Sequence, residues 1–484
     1  MNKKRMISLA AGSASLIFSA SVLAVPFNSY DPKSMAMGGA GVAVANPGSA
    51  PFFNPALMSI SNKDDDFALE LPVIGARVYD PDDFIDAVDN FNDQVITDLD
   101  NAIGQNNNDL DNILNNGTGN ANTIADNLLT TIDSIDAANV EVLKLSDKPM
   151  AFEGGAAMVL AIPSESFGMA FSASASANFS GVLEYADAQT VTDLTDDMRA
   201  LSDCVRDNDP TDPLKVQDFS NCVSAPGKFN FVTVIDTDNN PATLPDVEVG
   251  FTAESTNTTP SDIKSKVKVM GVLMAEAGLT LSREFSMMGS EMSIGVTPKM
   301  VSVTVYDYEV NADNADSADI NGDDYSADYS DFNMDVGVAM DHKNGWRSGF
   351  VIKNMISQDY AAMNTDPNTG QQFETGRVVS LKPQARVGVS HSTDWSTLAL
   401  DVDLTKNEAL GVVGDKSQYI ALGLELNALD WAQIRLGYRV DQVNSDRSVA
   451  SVGIGVSPFG VHLDLAVAGN ANEIGASMQL GFRF

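Results

Sequence analysis

The feature that most constrains this chain is an alternation of apolar and polar residues running to Phe484. In IGASMQLGFRF, Ile474, Ala476, Met478, Leu480, Phe482 and Phe484 fall on one face, and Gly475, Ser477, Gln479, Gly481 and Arg483 on the other. A strict period of two over this length marks a strand with one apolar face. The pattern recurs upstream. Val461, Leu463, Leu465 and Val467 alternate with His462, Asp464 and Ala466, and Ile434, Leu436, Tyr438 and Val440 with Arg435, Gly437 and Arg439. Similar runs lie near 67–79, 150–162, 165–184, 267–284, 292–307, 331–341, 346–353, 381–389, 398–404, 420–426 and 450–456. The total is about fourteen strands, each near the roughly 9–11 residues that a tilted transmembrane strand requires. The second face carries Gly, Ser, Asp, Arg and Gln, which suits a wet lumen. The expected fold is all-β: a transmembrane antiparallel β-barrel of about 14 strands, with an N-terminal plug and partly helical extracellular loops.

Loop lengths support the same reading. Counted from the first strand, connections after even-numbered strands are short: Pro163-Ser164, Met287 to Ser290, His342 to Gly345, His391 to Asp394, Asn427 to Asp430 and Ser457 to Gly460. Those after odd-numbered strands are long early in the chain, at 80–149, 185–266, 308–330 and 354–380. Tight turns on one side and long loops on the other are the asymmetry of an outer-membrane barrel. The tight turns, and both ends of the mature chain, are expected to face the periplasm. Trp346, Trp395 and Trp431 each start an odd-numbered strand, at the expected membrane–water boundary.

The N-terminus sets the compartment. Lys3, Lys4 and Arg5 precede an Ala- and Ser-rich apolar run from Met6 to Leu23, and Val22-Leu23-Ala24 supplies small residues for cleavage. The pattern is that of a secretory signal over 1–24, with the mature chain starting at Val25. No later run offers the roughly 18 consecutive apolar residues of a membrane-spanning helix. The expected location is the outer membrane of a Gram-negative cell, with outer-membrane lipid and lipopolysaccharide as partners. The net charge of −37, from 29 basic and 66 acidic residues, excludes nucleic acid as a direct partner. In an exported protein, Cys204 and Cys222 are candidates for one loop disulfide.

Two outer loops have a character of their own. Phe84, Ile85, Val88, Phe91, Val95 and Ile96, and then Ile124, Leu128, Leu129, Ile132 and Ile135, follow helical spacing. Helices there either pack on each other as a loop subdomain or form an apolar lid. The third loop carries Asp313, Asp316, Asp319, Asp323, Asp324, Asp328 and Asp331 without EF-hand spacing, so a solvated acidic loop is favoured over a specific calcium site.

No catalytic constellation stands out. His342, His391 and His462 lack metal-ligand spacing, and neither a Gly-x-Ser-x-Gly elbow nor a phosphate loop is present. The chain is therefore read as neither an enzyme nor a metal or cofactor protein. Asp401, Asp403, Arg435 and Arg439 fall on inward faces and are expected to pair across the lumen, as are Glu425, Lys382 and Arg386.

Residues 25–60 do not alternate. MAMGGAGVAVANPGSAPFFNPALMS, from Met35 to Ser59, combines closely spaced glycines with Pro47, Pro51 and Pro55. A compact, small-residue segment ahead of a barrel is expected inside it, as a plug, with the barrel proper over 61–484. The Gly run followed by Asn54-Pro55-Ala56 resembles the N-terminal hatch of the FadL/TodX outer-membrane transport superfamily. AEAGLTL from Ala275, followed by IGVTPKMVSVTVYDYEV from Ile294, is similar to the barrels named TraF-type conjugal transfer proteins. The resemblance covers the mature chain. It implies passive, hatch-gated uptake of hydrophobic small molecules, with Asn54, Pro55 and Ala56 as hatch residues, and it transfers no ligand pocket. The molecule would leave by a change in the plug or a gap in the wall. The TraF-type likeness implies an alternative: an outer-membrane component of a conjugal transfer or protein-export system, with partners from that machinery.

Overall fold

The structure, a computed structural model, describes residues 22–24, 30–60, 67–91, 95, 97–98, 101–102, 121–207, 233–234, 247–248, 264–287, 290–311, 323–342, 344–366, 369–407, 416–429 and 431–483. Fourteen antiparallel strands close into a barrel. In chain order they are β1 (Ala68–Tyr79), β2 (Met150–Ile162), β3 (Gly168–Glu184), β4 (Lys266–Met287), β5 (Ser290–Asn311), β6 (Ser326–Asp341) and β7 (Trp346–Lys353). A hairpin of β8 (Gln358–Thr365) and β9 (Gln372–Leu381) intervenes. The wall resumes with β10 (Gln384–Ser392), β11 (Ser396–Asp403), β12 (Tyr419–Leu429), β13 (Ala432–Asp441), β14 (Val449–Val456), β15 (Val461–Gly469) and β16 (Glu473–Arg483). β16 pairs with β1 and closes the ring. All the strand regions expected from the alternation are present, in the expected order; Phe484 lies outside the described residues.

Closure follows from the solvent. Hydrocarbon offers no partner to a free backbone N–H or C=O, so a sheet crosses a membrane only when no edge is left. The outward face is apolar, as the alternation requires. Ile454, Leu465, Val467, Ile474 and Met478 are exposed on the outside of β14 to β16, while Ser451, His462, Asp464, Ser477 and Gln479 point inward and are buried. Phe167, Phe285, Trp346, Trp395, Trp431 and Phe459 are exposed around the short-turn end, forming an aromatic girdle at the periplasmic boundary.

The alternation changes phase on the tall side of the barrel. β4 and β5 have 22 residues each, about 70 Å of extended chain, which outruns the hydrocarbon layer even when tilted. In lower β5 the outward residues are Ile294, Val296 and Met300; above them Ser302 and Thr304 point out, and Val301, Val303 and Val305 point in. Those inward valines need an apolar cover, and the β8–β9 hairpin supplies it. Tyr360, Ala362, Val379 and Leu381 pack against Val301, Val303, Val305 and Val272 inside the upper lumen. Arg377 of β9 pairs with Asp307 and, at 3.1 Å, with Glu309. Residues 354–380, expected as a loop, are thus an inward-folded hairpin. Leu381, expected on the outer face of the next strand, is buried within this cluster.

Among the described residues, the long loops carry helices α4 (Phe84–Asn90), α5 (Ala121–Leu145) and α6 (Ala188–Asp207), numbered after the short luminal helices described below. Leu128, Leu129, Ile132 and Ile135 of α5 pack on Leu194 and Met198 of α6. Arg206 pairs with Asp126 at 2.7 Å, and Arg199 with Asp136. The first two loops therefore form a helix pair whose apolar faces cover each other; α6 was not apparent from spacing. Asp187 ties the base of the second loop together. Its carboxylate accepts the Ser265 N–H at 2.7 Å, the Ser265 hydroxyl at 2.5 Å and the Lys264 N–H at 2.9 Å. Burial opposes ionisation of Asp187, but these hydrogen bonds outweigh it and hold the carboxyl below the usual carboxylate range. Its contribution is therefore present at neutral pH and lost as pH falls through that lowered pKa.

Cys222 lies outside the described residues, as do Asp313, Asp316 and Asp319. No cluster of His, Cys, Asp or Glu suited to a metal occurs among the described residues.

Two outcomes test this architecture. Ile454→Arg, on the lipid face of β14, is expected to cost about 2–4 kcal/mol, read as loss of the heat-modifiable band on a gel. Asp187→Ala is expected to speed protease cleavage in the second outer loop and to leave that band in place.

Candidate functional site

Residues 30–60 lie inside the barrel. Asp31 caps α1 (Pro32–Ala36), its side chain accepting the Ser34 N–H at 2.7 Å, with Pro32 at the first helical position. The helix ends on Gly38 and Gly39, at φ +70° and +98°, a left-handed exit that glycine adopts without strain. α2 (Ala50–Phe53) and α3 (Leu57–Ile60) follow, separated by Asn54-Pro55-Ala56.

The wall is shaped to receive this segment. A Cβ on Gly437 would overlap the Gly38 nitrogen; on Gly453, the Ala36 side chain; on Gly349, the Val42 carbonyl; on Gly337, the Asn54 side chain; and on Gly295, the Pro55 backbone. Gly295 and Gly337 are direct cross-strand partners, as are Gly349 and Gly388, and Gly423 and Gly437. This belt of inward glycines lets luminal backbone approach wall backbone within van der Waals distance. Read as single residues, these glycines looked like small lumen-facing positions; their recurrence at mid-strand on the inward face was the available signal.

Polar side chains hold the segment in place. Asp401 accepts the Gly41 and Val42 N–H groups at 2.8 and 2.9 Å. Ser451 accepts the Gly38 N–H at 3.1 Å and donates to the Ala36 carbonyl at 3.0 Å. Lys33 of α1 pairs with Glu425 at 3.2 Å. Lys353 donates to the Phe52 carbonyl, and Arg347 to the Ile60 carbonyl, each at 3.2 Å. Asn54 is fully buried: its amide donates to the Val42 carbonyl at 3.0 Å and to the Val338 carbonyl at 3.1 Å, and its oxygen accepts the Ala56 N–H at 3.1 Å. Asn54 thereby joins two parts of the luminal segment to β6. Pro55 and Ala56 lie against Gly295 of β5.

The charged residues expected to pair across the lumen pair instead along the wall. Arg386 meets its neighbour Asp403 at 2.5 Å. Arg435 bridges Glu425 at 2.6 Å and Asp464 at 2.5 Å, and Arg439 meets Glu473 at 2.6 Å. Asp401 joins none of these pairs and binds the luminal backbone, while Lys382 sits in the turn between β9 and β10. The partners lie one strand apart for Arg386–Asp403 and Arg435–Glu425, two for Arg435–Asp464 and three for Arg439–Glu473, so each charge is offset by a near neighbour on the wall. Near the periplasmic end, buried Glu70 meets His462 at 2.6 Å, Gln479 at 2.5 Å and Arg483 at 3.2 Å.

A closed wall, a lipid-facing apolar band and a lumen filled by the chain's own N-terminal segment define the class: an outer-membrane β-barrel with an internal plug. The chain belongs to the family described as "F plasmid transfer operon, TraF, protein", which matches residues 51–403. A search of curated proteins returns no match. Among solved structures, the Pseudomonas putida toluene transporter TodX overlaps with a TM-score of 0.45 at 10% identity, covering 95% of this chain and 99% of that one. The Ralstonia pickettii toluene transporter TbuX gives 0.43 at 11%, covering 97% and 100%. A Pseudomonas aeruginosa FadL homologue gives 0.44 at 12%, covering 94% and 98%. At these scores the overlaps carry no weight, and the fold rests on the strand pairing itself.

Asp401→Ala is expected to leave two buried N–H groups without an acceptor, at about 1–3 kcal/mol each. Gly437→Val is expected to prevent seating of the turn at Gly38. Both variants predict higher single-channel conductance in planar bilayers, with the heat-modifiable band retained.

Proposed function

We propose that this protein is a hatch-gated outer-membrane channel for passive uptake of hydrophobic small molecules. The observation that carries the reading is the seating of residues 30–60 in the lumen. They are held by side chains from many strands while all fourteen wall interfaces are hydrogen-bonded. Of the two exits implied by the superfamily resemblance, movement of the hatch fits this geometry better than a gap in the wall. β3 is paired without a register shift to β4 along its whole length and to β2 over Met169–Gly181. The ladder is irregular at Leu71-Pro72 of β1 and around Pro298 of β5, where proline has no N–H to donate. Asn54, with Pro55 and Ala56, is the hatch's central anchor in this reading. The ligand class comes from the resemblance of the Gly-rich run and Asn54-Pro55-Ala56 to the FadL/TodX hatch.

A second reading has its own support. The family description names a plasmid transfer operon, which favours a role as an outer-membrane component of conjugal transfer or export.

One purification separates the two. Under the channel reading, organic extracts of the detergent-purified barrel are expected to contain a hydrophobic small molecule by mass spectrometry. Liposomes bearing the barrel should take up toluene faster than empty ones. Equal uptake, an empty barrel and co-purification with transfer proteins would sink the channel reading in favour of the second.

A further inference from the structure

Above the hatch, on the side of the long loops, three arginines converge on one small cavity. Arg77 reaches it from β1, Arg439 from β13 and Arg447 from the turn after β13, with Glu153 of β2 and Glu473 of β16 beside them. Two of the three guanidiniums lie over tyrosine rings, Arg439 at 4.5 Å from the centre of Tyr419 and Arg447 at 4.6 Å from that of Tyr79. Arg439 is buried and bonded to Glu473 through one terminal nitrogen. Arg77 stands 3.9 Å from Glu153, beyond hydrogen-bond distance.

Donors remain. The Nε–H groups of Arg77, Arg439 and Arg447 are all buried without an acceptor, and so is the phenol of Tyr30. The Tyr30 ring lies against Gly75 and Gly155, and its hydroxyl is within electrostatic reach of Arg77 and Glu153. Buried donors without acceptors are rare because each forfeits its bond to water and gains nothing in return. Water alone would satisfy the donors, but it leaves the charge: three guanidiniums face two carboxylates. This local positive excess sits in a protein of net charge −37. An anion with several acceptor atoms answers both deficits. The cavity, about 30 Å³, has room for about two waters, and therefore for an oxyanion head but not for a hydrocarbon body.

From this geometry we propose that Arg77, Arg439 and Arg447, with the hydroxyl of Tyr30, form a binding site for the oxyanion head of a small solute. The rest of the solute extends toward the barrel mouth. The charge-assisted hydrogen bonds run from the guanidinium N–H groups to the bound oxygens. The inference depends on binding alone and stands or falls apart from passage through the barrel.

The test is calorimetric titration of the purified full-length barrel with benzoate, with neutral benzyl alcohol of similar shape, and with inorganic phosphate. Benzoate or phosphate is expected to bind at least about tenfold more tightly than benzyl alcohol; which of the two binds better tells a carboxylate solute from a free inorganic anion. Arg447→Gln, in a surface turn, and Arg77→Gln are each expected to weaken the preferred anion about tenfold. Arg206→Gln, in the outer helix pair, is expected to leave it unchanged. Heat-modifiable migration confirms that each variant is folded. Equal binding of benzoate and benzyl alcohol, absence of anion binding, or anion binding indifferent to Arg447 and Arg77 would each overturn the proposal. Failure of toluene uptake would leave it intact.

Discussion

Everything in this molecule depends on one constraint: inside hydrocarbon, each backbone N–H and C=O must find a partner within the protein. A single sheet meets it only by closing on itself, and fourteen strands enclose a space that side chains from the wall do not fill. The chain fills that space with its own N-terminal segment. That segment brings backbone groups of its own into a place with little water, so the wall must satisfy them. Asp401, Ser451, Lys353 and Arg347 do so, Asn54 of the segment itself adds a bond to the wall, and the glycine belt lets them come close enough.

The lumen is thus charged but not diffusely so. Arginines and carboxylates sit one strand or a few strands apart and offset each other locally, as with Arg386 and Asp403. Where the count is uneven the imbalance is spatially confined, and the arginine cavity above the hatch is such a place. The hatch itself is restrained in two ways. Large apolar side chains, among them Met37, Phe53, Leu57, Met58 and Ile60, are fully buried and supply apolar burial. The directed contacts from charged and amide groups add to this burial and fix where the segment's backbone sits.

Much of this was legible in the residues. The period-two runs located every barrel strand because a barrel strand has one lipid face and one lumen face, and the turns separated the two ends. What escaped was governed by contacts between distant segments. The β8–β9 hairpin looked like a loop because Leu381 and the residues before it serve a cluster inside the barrel, not the lipid face. Its trace was present in β5, where Val301, Val303 and Val305 change phase against Ile294 and Val296. Asp401 was read as inward, correctly, but its partner is backbone, which leaves no mark in composition. The arginine cavity was equally hidden: Arg447 lies hundreds of positions from Arg77 and Tyr30, and closure of the barrel together with seating of the luminal segment brings them together.

The unequal strand lengths give the barrel a tall side and a low side. β3 to β6 have 17, 22, 22 and 16 residues, whereas β13 to β16 have 10, 8, 9 and 11. The mouth is therefore cut obliquely, like a quill. Its high wall stands well clear of the membrane with the folded-in hairpin behind it, and its low lip lies near the lipid surface with Arg447 in the turn at its edge. Under the channel reading, a solute arriving along the membrane would meet the lip first and the high wall as a backstop, so the rim would set a direction of approach before any residue in the lumen is touched.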